Sequence, residues 1–195
     1  SLDRRQRQMC IRDRSKFDII QPGDIIHCDF GISYLTLNTD CQQLAYVLKP
    51  DEKTPPKFLV NALIEGNRVQ DIFTNNFVEG ATGNQILSKS LKESINKGYR
   101  PQIYTHPLGL FGHSAGTAFG MWDSQNGVPH SGEHPLKKNT AYAIELNTTV
   151  FIPEWDKDIR IMLEVPGFFG EDGFRYINGR QTEFILVGSK PRYLE

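Results

Sequence analysis

Apolar and polar residues alternate in two stretches near the start of the chain, and this pattern predicts two β-strands. The first covers residues 24–30, directly after the turn signal Pro22-Gly23, and the second covers residues 35–48. Because only a short turn around residues 33–36 separates them, we expect an antiparallel hairpin. Three further strand-like runs lie near the end of the chain, at residues 142–152, 158–165 and 182–187.

Between the hairpin and the later strands the apolar pattern changes to helical spacing. Apolar residues recur three or four positions apart up to about Val78, after Thr54, which is an expected N-cap followed by two prolines. A second helix is predicted to begin at Thr82, which forms a capping box with Gln85, and to end at Gly98. The sequence therefore predicts two consecutive helices.

This order of strands, two helices and strands predicts an α+β domain and not a repeated βαβ unit. A short strand at residues 102–105, a glycine-rich stretch at 107–120 and a loop at 121–139 separate the helices from the last strands. The 195 residues, 38% of them hydrophobic and 11% aromatic, suffice for one domain with a hydrophobic core.

Residues 1–14 differ from the rest of the chain, because they contain five arginines, few apolar residues and no periodic pattern. We interpret them as a sequencing-adapter artefact or a disordered basic tail, and we assign residues 15–195 to a single, partial domain. This interpretation implies that the natural N-terminal part is absent. We therefore expect the chain alone to have low stability.

Charge and cysteine content argue against several functions. Twenty-two Lys and Arg against 23 Asp and Glu give a formal net charge of −1, so we expect neither nucleic acid nor a membrane surface as partner. No apolar run approaches the roughly 18 residues of a membrane span. Three cysteines are too few for a disulfide framework, so a reducing, cytoplasmic location is expected. Cys28 and Cys41 are expected opposite each other as small buried residues.

Asp29 and Asp40 are the first chemically informative pair. They lie eleven residues apart on the two strands of the predicted hairpin, and a turn centred between Tyr34 and Leu35 would place them directly opposite each other. Two carboxylates that close repel unless a cation lies between them. A solvated hairpin with its charges in water is the alternative explanation.

Histidine and glutamate residues later in the chain supply further candidate ligands. His113 is surrounded by glycines in the segment GHSAG, close to His106. Glu145 lies within an apolar strand, where an acid must face solvent, pair with a cation or bind a metal. Glu183 repeats this situation, and Glu164 competes for the same role. Several carboxylates with one imidazole suit Mn²⁺, Zn²⁺, Co²⁺ or Fe²⁺.

The order of these residues resembles the metal ligands of the pita-bread metallopeptidases, which include methionine aminopeptidases, Xaa-Pro aminopeptidases and prolidases. The matching segments extend from about Gln21 to Val187 and are GDIIHCDFG, NTD, FGHSAG, AYAIELN and RQTEFILV. The Xaa-Pro aminopeptidase branch looks most similar. The resemblance implies an α+β pita-bread fold with a curved antiparallel sheet and helices on one face, here N-terminally truncated.

The resemblance also implies a centre of two divalent metal ions, with Mn²⁺ as the first choice and Zn²⁺, Co²⁺ or Fe²⁺ as alternatives. Its five ligands would be Asp29, Asp40, His113, Glu145 and Glu183. Asp40 and Glu183 would bridge the ions. Asp29 would bind one ion, and the histidine and Glu145 would bind the other. Glu183 is preferred to Glu164 because the last ligand of the family directly precedes the final apolar strand.

Some positions depart from the family pattern. The family has a second histidine seven residues after the metal-binding one, where this chain has Gly120 if His113 is the ligand. Replacements for the missing histidine could come from the other histidines of this region, His106, His130 and His134. We name His106 and Glu145 as the catalytic candidates. Glu145 would take a proton from the attacking water and pass it to the leaving amine.

The expected function is that of a metalloaminopeptidase, a hydrolase that removes the N-terminal residue from Xaa-Pro peptides. The alternatives are a pita-bread protein that acts as a binding module without peptidase activity, and a creatinase-like hydrolase that works without metal. Retention of all five ligand residues argues against both. A peptide substrate is the expected partner, and the sequence leaves open whether the chain forms a homo-oligomer.

Overall fold

The computed structural model describes residues 19–188, so the interpretation of residues 1–14 lies outside the described part. Within that part the chain forms two helices, α1 (Lys57–Asn75) and α2 (Gly83–Asn96). The strands are β1 (Ile25–Phe30), β2 (Ser33–Tyr34), β3 (Leu37–Asn38), β4 (Cys41–Val47), β5 (Pro101–Ile103), β6 (His106–Pro107), β7 (Thr140–Ile152), β8 (Lys157–Gly170), β9 (Gly173–Tyr176) and β10 (Ile185–Val187). No helix among residues 19–188 is both long and apolar enough to cross a membrane.

The strands form one main sheet in the order β1-β4-β8-β7-β5, in which β6 also pairs with β7 and β9 with β8. These pairings are antiparallel, whereas β10 joins the free edge of β4 in parallel. β2 and β3 form a separate small hairpin that extends the connection between β1 and β4. The predicted α+β class with an antiparallel sheet is confirmed, and the parallel last strand is an addition that sequence periodicity does not reveal.

Both helices pack on one face of β7 and β8. Val69 and Phe73 of α1 and Ile86 of α2 are buried against Ile144 and Val165 of these strands. A second cluster continues the same layer towards the start of α1, where Leu59, Ala62 and Leu63 contact Ile161 and Leu163. The helices thus leave the opposite face of β7 and β8 free for polar side chains.

The predicted start of α2 is confirmed, and that of α1 is wrong. Thr82 accepts a hydrogen bond from the backbone N–H of Gln85, whose side chain accepts one from the backbone of Thr82. In α1 the N-cap position is occupied by Pro56, which makes no capping hydrogen bond, and Thr54 lies outside the helix. Two prolines after Thr54 delay the first helical turn, because proline restricts the residue before it.

The hairpin register differs from the predicted one by two residues. β1 pairs with β4 so that Asp29 lies opposite Gln42, not opposite Asp40. The turn centre therefore lies between Leu35 and Thr36, and a shift of two residues keeps the two aspartates on the same face, because side chains alternate with a period of two. Cys28 lies opposite Gln43, not opposite Cys41. Its thiol is free and the residue is exposed, which contradicts the expected buried pair.

On the side away from β1, strand β4 changes its partner halfway along its length. Gln42 pairs with Glu164 of β8, whereas Ala45 and the next two residues pair with β10. Between these two pairings the side chain of Gln181 binds the backbone of Leu44 twice, accepting from its N–H at 2.8 Å and donating to its carbonyl at 2.7 Å. The amide of Gln181 thus replaces a missing strand.

The edge strand beside β7 is also interrupted. Between β5 and β6 the hydroxyl of Thr105 donates to the carbonyl of Glu145 and accepts from its N–H, both at 3.0 Å. Thr105 is fully buried, and its own carbonyl accepts from Phe119 at the end of the glycine-rich loop. This arrangement fixes the backbone of Glu145 and places His106 immediately beside it.

Candidate functional site

Four polar side chains form a row across the sheet, on the side opposite the helices. Asp29 of β1 lies opposite Gln42 of β4, Gln42 lies opposite Glu164 of β8, and Glu164 lies opposite Glu145 of β7. Glu164 is only 1% exposed, Gln42 3% and Glu145 8%. Strand pairing alone therefore brings three carboxyl groups and an amide together in a buried position.

His106 faces these carboxyl groups from β6, the short edge strand next to β7. Its Nε2 atom lies 3.6 Å from Glu164 Oε1, 3.7 Å from Glu145 Oε2 and 3.9 Å from Asp40 Oδ2. This buried nitrogen has no hydrogen-bond partner, whereas Nδ1 lies 3.1 Å from the carbonyl oxygen of Pro107. A histidine that binds a metal through one ring nitrogen typically forms a hydrogen bond through the other. His106 has this environment, because its Nδ1 atom faces a backbone carbonyl and its Nε2 atom has no partner.

Asp40 and His113 complete the site from two loops. Asp40 directly precedes β4, and the glycine-rich loop passes over it, since a Cβ atom at Gly112 would lie 3.7 Å from Asp40 Oδ2. His113 stacks on His106 with 3.9 Å between the ring centres and an angle of 23° between the planes. Because His113 is exposed and His106 is buried, the imidazole of His113 forms the outer wall of the site.

Ligand atoms from these residues form three overlapping groups, within each of which all atoms lie within 4.8 Å of one another. The groups are Asp29, Asp40 and Glu164; His106, Glu145 and Glu164; and Asp40, His106 and His113. Glu164, Asp40 and His106 each belong to two groups, so the three groups form one continuous cluster of possible metal ligands.

Burial and mutual repulsion change the pKa values of all the carboxyl groups of the site. Burial, together with the neighbouring carboxylates, raises the pKa of Asp40 to about 7 and that of Glu145 to about 10. The same two causes raise the pKa of Glu164 to about 8, and burial raises that of Asp29. Burial also lowers the pKa values of His106 and His113, so their imidazoles stay neutral.

The directions of these pKa shifts fit a cation-binding site. Burial and mutual repulsion disfavour the ionised form of these carboxyl groups, and a cation among them would favour it. Neutral imidazole is the form of histidine that binds metals. A set of four carboxylates with one buried imidazole matches hard to borderline divalent ions better than a thiolate site does.

The structure brings Glu164 to this site and does not bring Glu183 there, although the resemblance favoured Glu183. Glu183 is exposed in the segment before β10 and belongs to none of the three groups. A signal for Glu164 was present in the sequence, because a turn at Pro153–Trp155 makes β7 and β8 a hairpin in which residues 145 and 164 are opposite. The final apolar strand was the wrong guide, since β10 pairs with β4 and not with β8.

The histidines also differ from the expected arrangement. His106, expected as a catalytic replacement, lies within 4 Å of three carboxyl groups, whereas His113, expected as the ligand, is exposed and belongs only to the group with Asp40 and His106. Gly120 cannot be replaced by histidine here, because its φ is +75° and a Cβ atom would lie 2.2 Å from the carbonyl oxygen of Ile103. His130 and His134 are exposed and belong to none of the three groups.

Sequence reasoning missed Gln42 and Thr105, which have no charge and no motif. Gln42 donates from Nε2 to Glu145 Oε1 at 2.7 Å, and Thr105 holds the backbone of the same glutamate. The alternation that places Asp40 on the inner face also places Gln42 there, so a correct hairpin register would have indicated it.

The comparisons with known proteins concern the family and the fold. The profile of metallopeptidase family M24 matches residues 6–172. The fold is similar to an X-Pro aminopeptidase from Thermotoga maritima, with 19% identity, a TM-score of 0.63 and coverage of 86% of this chain and 43% of that one. It is also similar to a Xaa-Pro dipeptidase from Bacillus anthracis, with 22% identity, a TM-score of 0.58 and coverage of 86% and 42%.

A third similar structure is a methionine aminopeptidase from Rickettsia prowazekii, with 14% identity, a TM-score of 0.56 and coverage of 80% of this chain and 65% of that one. No curated protein sequence matches the chain significantly. The chain spans less than half the length of the first two structures, and these identities establish similarity of fold alone. The family match covers most of the chain, and the fold and the pita-bread resemblance are confirmed; the chain belongs to metallopeptidase family M24.

Proposed function

We propose that the chain carries the dinuclear metal centre of an exopeptidase that removes the N-terminal residue from Xaa-Pro peptides. Asp40 and Glu164 would bridge two divalent ions, and Asp29 would complete one ion's ligands. His106 and Glu145 would complete the other. The observation that carries this proposal is the convergence of Asp40, Glu145 and Glu164 on the buried, unpartnered Nε2 atom of His106, with Asp29 joining the cluster through Asp40 and Glu164.

The spacing of the histidines supports this revised ligand set. The pita-bread metallopeptidases have a second histidine seven residues after the metal-binding one, and the residue seven positions after His106 is His113. With His106 as ligand, no histidine is missing at Gly120. His113 is then the residue that contacts substrate, which agrees with its exposed position against the ring of His106.

Bound divalent ions supply Lewis-acid activation of water and of the scissile carbonyl group. The protein residues provide positions and proton transfer. Glu145 would take a proton from the attacking water and return it to the leaving amine. His113 donates a hydrogen bond to the substrate carbonyl oxygen from the open side of the site.

Xaa-Pro peptides are the proposed substrates because structures with this fold include an X-Pro aminopeptidase and a Xaa-Pro dipeptidase, and Mn²⁺ remains the first-choice metal. The test uses the full-length gene product with added Mn²⁺ on an Xaa-Pro dipeptide, a longer Xaa-Pro peptide and the same peptides with alanine in place of proline. We expect cleavage after the first residue of a proline-containing peptide and its loss in Asp40→Ala.

Each outcome of this assay has a distinct meaning. Cleavage of the dipeptide alone identifies a prolidase-like enzyme, and cleavage of the longer peptide identifies an aminopeptidase. Failure on every peptide despite bound metal contradicts the proposal and favours the binding-module alternative. Failure to bind any transition metal contradicts the metal centre itself.

A further inference from the structure

Gln42 is the one uncharged member of the row across the sheet, and it is 3% exposed. Its strand neighbours on either side are Asp29 and Glu164, both of which belong to the candidate metal centre. A buried amide costs free energy unless its donors and acceptor are paired, so its contacts indicate what it does.

The contacts of Gln42 give its amide a single orientation. Its Oε1 atom lies 2.8 Å from Nε2 of His27, and since an amide oxygen only accepts, His27 is the donor. The opposite end, Nε2, donates to Glu145 Oε1 at 2.7 Å and lies 3.5 Å from Asp29 Oδ2. His27 thereby determines which end of the amide faces the carboxyl groups.

The hydrogen bond divides the two oxygen atoms of Glu145 between two tasks. Oε1 is held by Gln42, whereas Oε2 lies 3.7 Å from His106 Nε2, on the side of the centre. The hydrogen bond directs Oε1 towards Gln42, so Oε2 is the oxygen that is turned towards the centre. Outer partners of this kind fix the direction of a ligand and affect metal affinity.

We propose that Gln42 is a positioning residue that presents Glu145 to the metal through Oε2 alone, and that His27 acts through Gln42 by fixing the orientation of its amide. The inference rests on the proposed metal centre. It concerns hydrogen-bond geometry and requires no change in the charge of His27.

The test measures binding of Mn²⁺ alone to the metal-free 195-residue chain by isothermal titration calorimetry at constant pH. Gln42→Met keeps the size of the side chain and removes its hydrogen bonds. Gln43→Met is the matched control, because Gln43 is the next residue on β4 and points to the other face. His27→Leu leaves Gln42 in place but removes the donor to its Oε1 atom.

We expect Gln42→Met to weaken Mn²⁺ binding about 10- to 100-fold, as is typical of outer partners of metal ligands, and Gln43→Met to leave it unchanged. His27→Leu should weaken binding to a smaller extent in the wild-type background and not at all in the Gln42→Met background. Such non-additivity distinguishes action through Gln42 from a general loss of packing.

Equal affinity of wild type and Gln42→Met, with a native circular dichroism spectrum, overturns this inference and leaves the metal centre intact. A wild-type chain that binds no Mn²⁺ overturns the proposed function together with the inference. If Gln42→Met does not fold, half-buried His27 provides the decisive variant, and unchanged affinity in His27→Leu overturns the proposal.

Discussion

At the scale of single residues, the site is dominated by acidic groups that the protein alone does not neutralise. Asp40, Glu145 and Glu164 all have raised pKa values because they are buried beside one another. The proposed centre explains why such a cluster is kept, since a cation converts mutual repulsion into attraction. Two predictions follow from this balance of charge.

Substitution of the two competing glutamates separates the revised ligand set from the first one. We expect Glu164→Gln to weaken Mn²⁺ binding at least about 100-fold, more than the loss of an outer partner, because a shared ligand is removed. Glu183→Gln should bind as wild type, because Glu183 is exposed and away from the cluster. Calorimetric titration measures both, and the reverse result would restore Glu183 as the ligand.

The stability of the metal-free chain should fall between pH 7 and pH 9. The pKa values of Asp40, Glu145 and Glu164 in the folded chain, about 7, 10 and 8, exceed their ordinary values of 3.8, 4.5 and 4.5. Between those limits the folded chain binds more protons than the unfolded chain, so the free energy of unfolding decreases as pH rises. The histidines do not oppose this trend, because imidazoles of lowered pKa are neutral in both states above pH 7.

Urea unfolding in the presence of a chelator measures this dependence. The contribution from the three carboxyl groups is complete below about pH 4 and decreases through their folded pKa values. Glu164→Gln should show a shallower decrease, because it removes one titrating group and one repulsion. A wild-type midpoint that rises from pH 7 to pH 9 would contradict the pKa directions.

At the scale of elements, local sequence signals were sufficient for some features and not for others. The capping box at Thr82 and the helical spacing predicted α2 because these signals lie within a few residues of one another. The hairpin register was wrong by two residues, because the turn is centred between Leu35 and Thr36, one residue later than predicted, and alternation does not specify the position of a turn. The partner of β10 depends on a contact with β4 far away in the sequence, which no local pattern contains.

The same difference between local signals and long-range contacts explains which residues of the site could be identified from the sequence. Asp29 and Asp40 were identified from their spacing on the predicted hairpin, and Glu145 from its apolar strand; in the structure Glu164 lies in a group with each of them. Glu183 was preferred to Glu164 because it precedes the final apolar strand, whereas the position of Glu164 opposite Glu145 follows from the β7–β8 hairpin. Gln42 gave no signal, because its importance comes from its neighbours across three strands.

The different starts of the two helices can be tested by stability. Thr82→Ala removes a side chain that caps α2, and we expect the free energy of unfolding to fall by about 1 kcal/mol. Thr54→Ala is the control, because Thr54 is exposed and caps no helix, and it should change stability by less than about 0.5 kcal/mol. Equal losses from chemical denaturation would contradict the observed start of α1.

At the scale of the whole molecule, the candidate site connects parts of the chain that are distant in sequence. β1 and β4 near one end, β6 in the middle and the β7–β8 hairpin each contribute a side chain to the cluster. An ion bound there would connect both halves of the sheet. A ligand that binds only the folded chain adds to its stability in proportion to the logarithm of its concentration.

Addition of Mn²⁺ should therefore raise the melting temperature of the entire chain and not of one segment. At one hundred times Kd a single site contributes about 2.7 kcal/mol, which corresponds to at least about 5 °C for a chain of this length. Differential scanning fluorimetry measures the shift, and a chelator should reverse it. Asp40→Ala should show no shift; a shift of the same size in that variant would place the stabilising ion elsewhere.

The binding of Leu44 by Gln181 has a consequence for the order of events during synthesis. The two residues are 137 positions apart, so the backbone of β4 lacks this partner until almost the whole described chain has left the ribosome. Until then the nascent β1–β4 hairpin has an edge whose backbone groups lack hydrogen-bond partners. Its two acidic site residues, Asp29 and Asp40, likewise lack the site residues that follow later in the chain. Closure of this edge of β4 is consequently a late step of folding, because Gln181 follows every residue of the candidate site in the sequence.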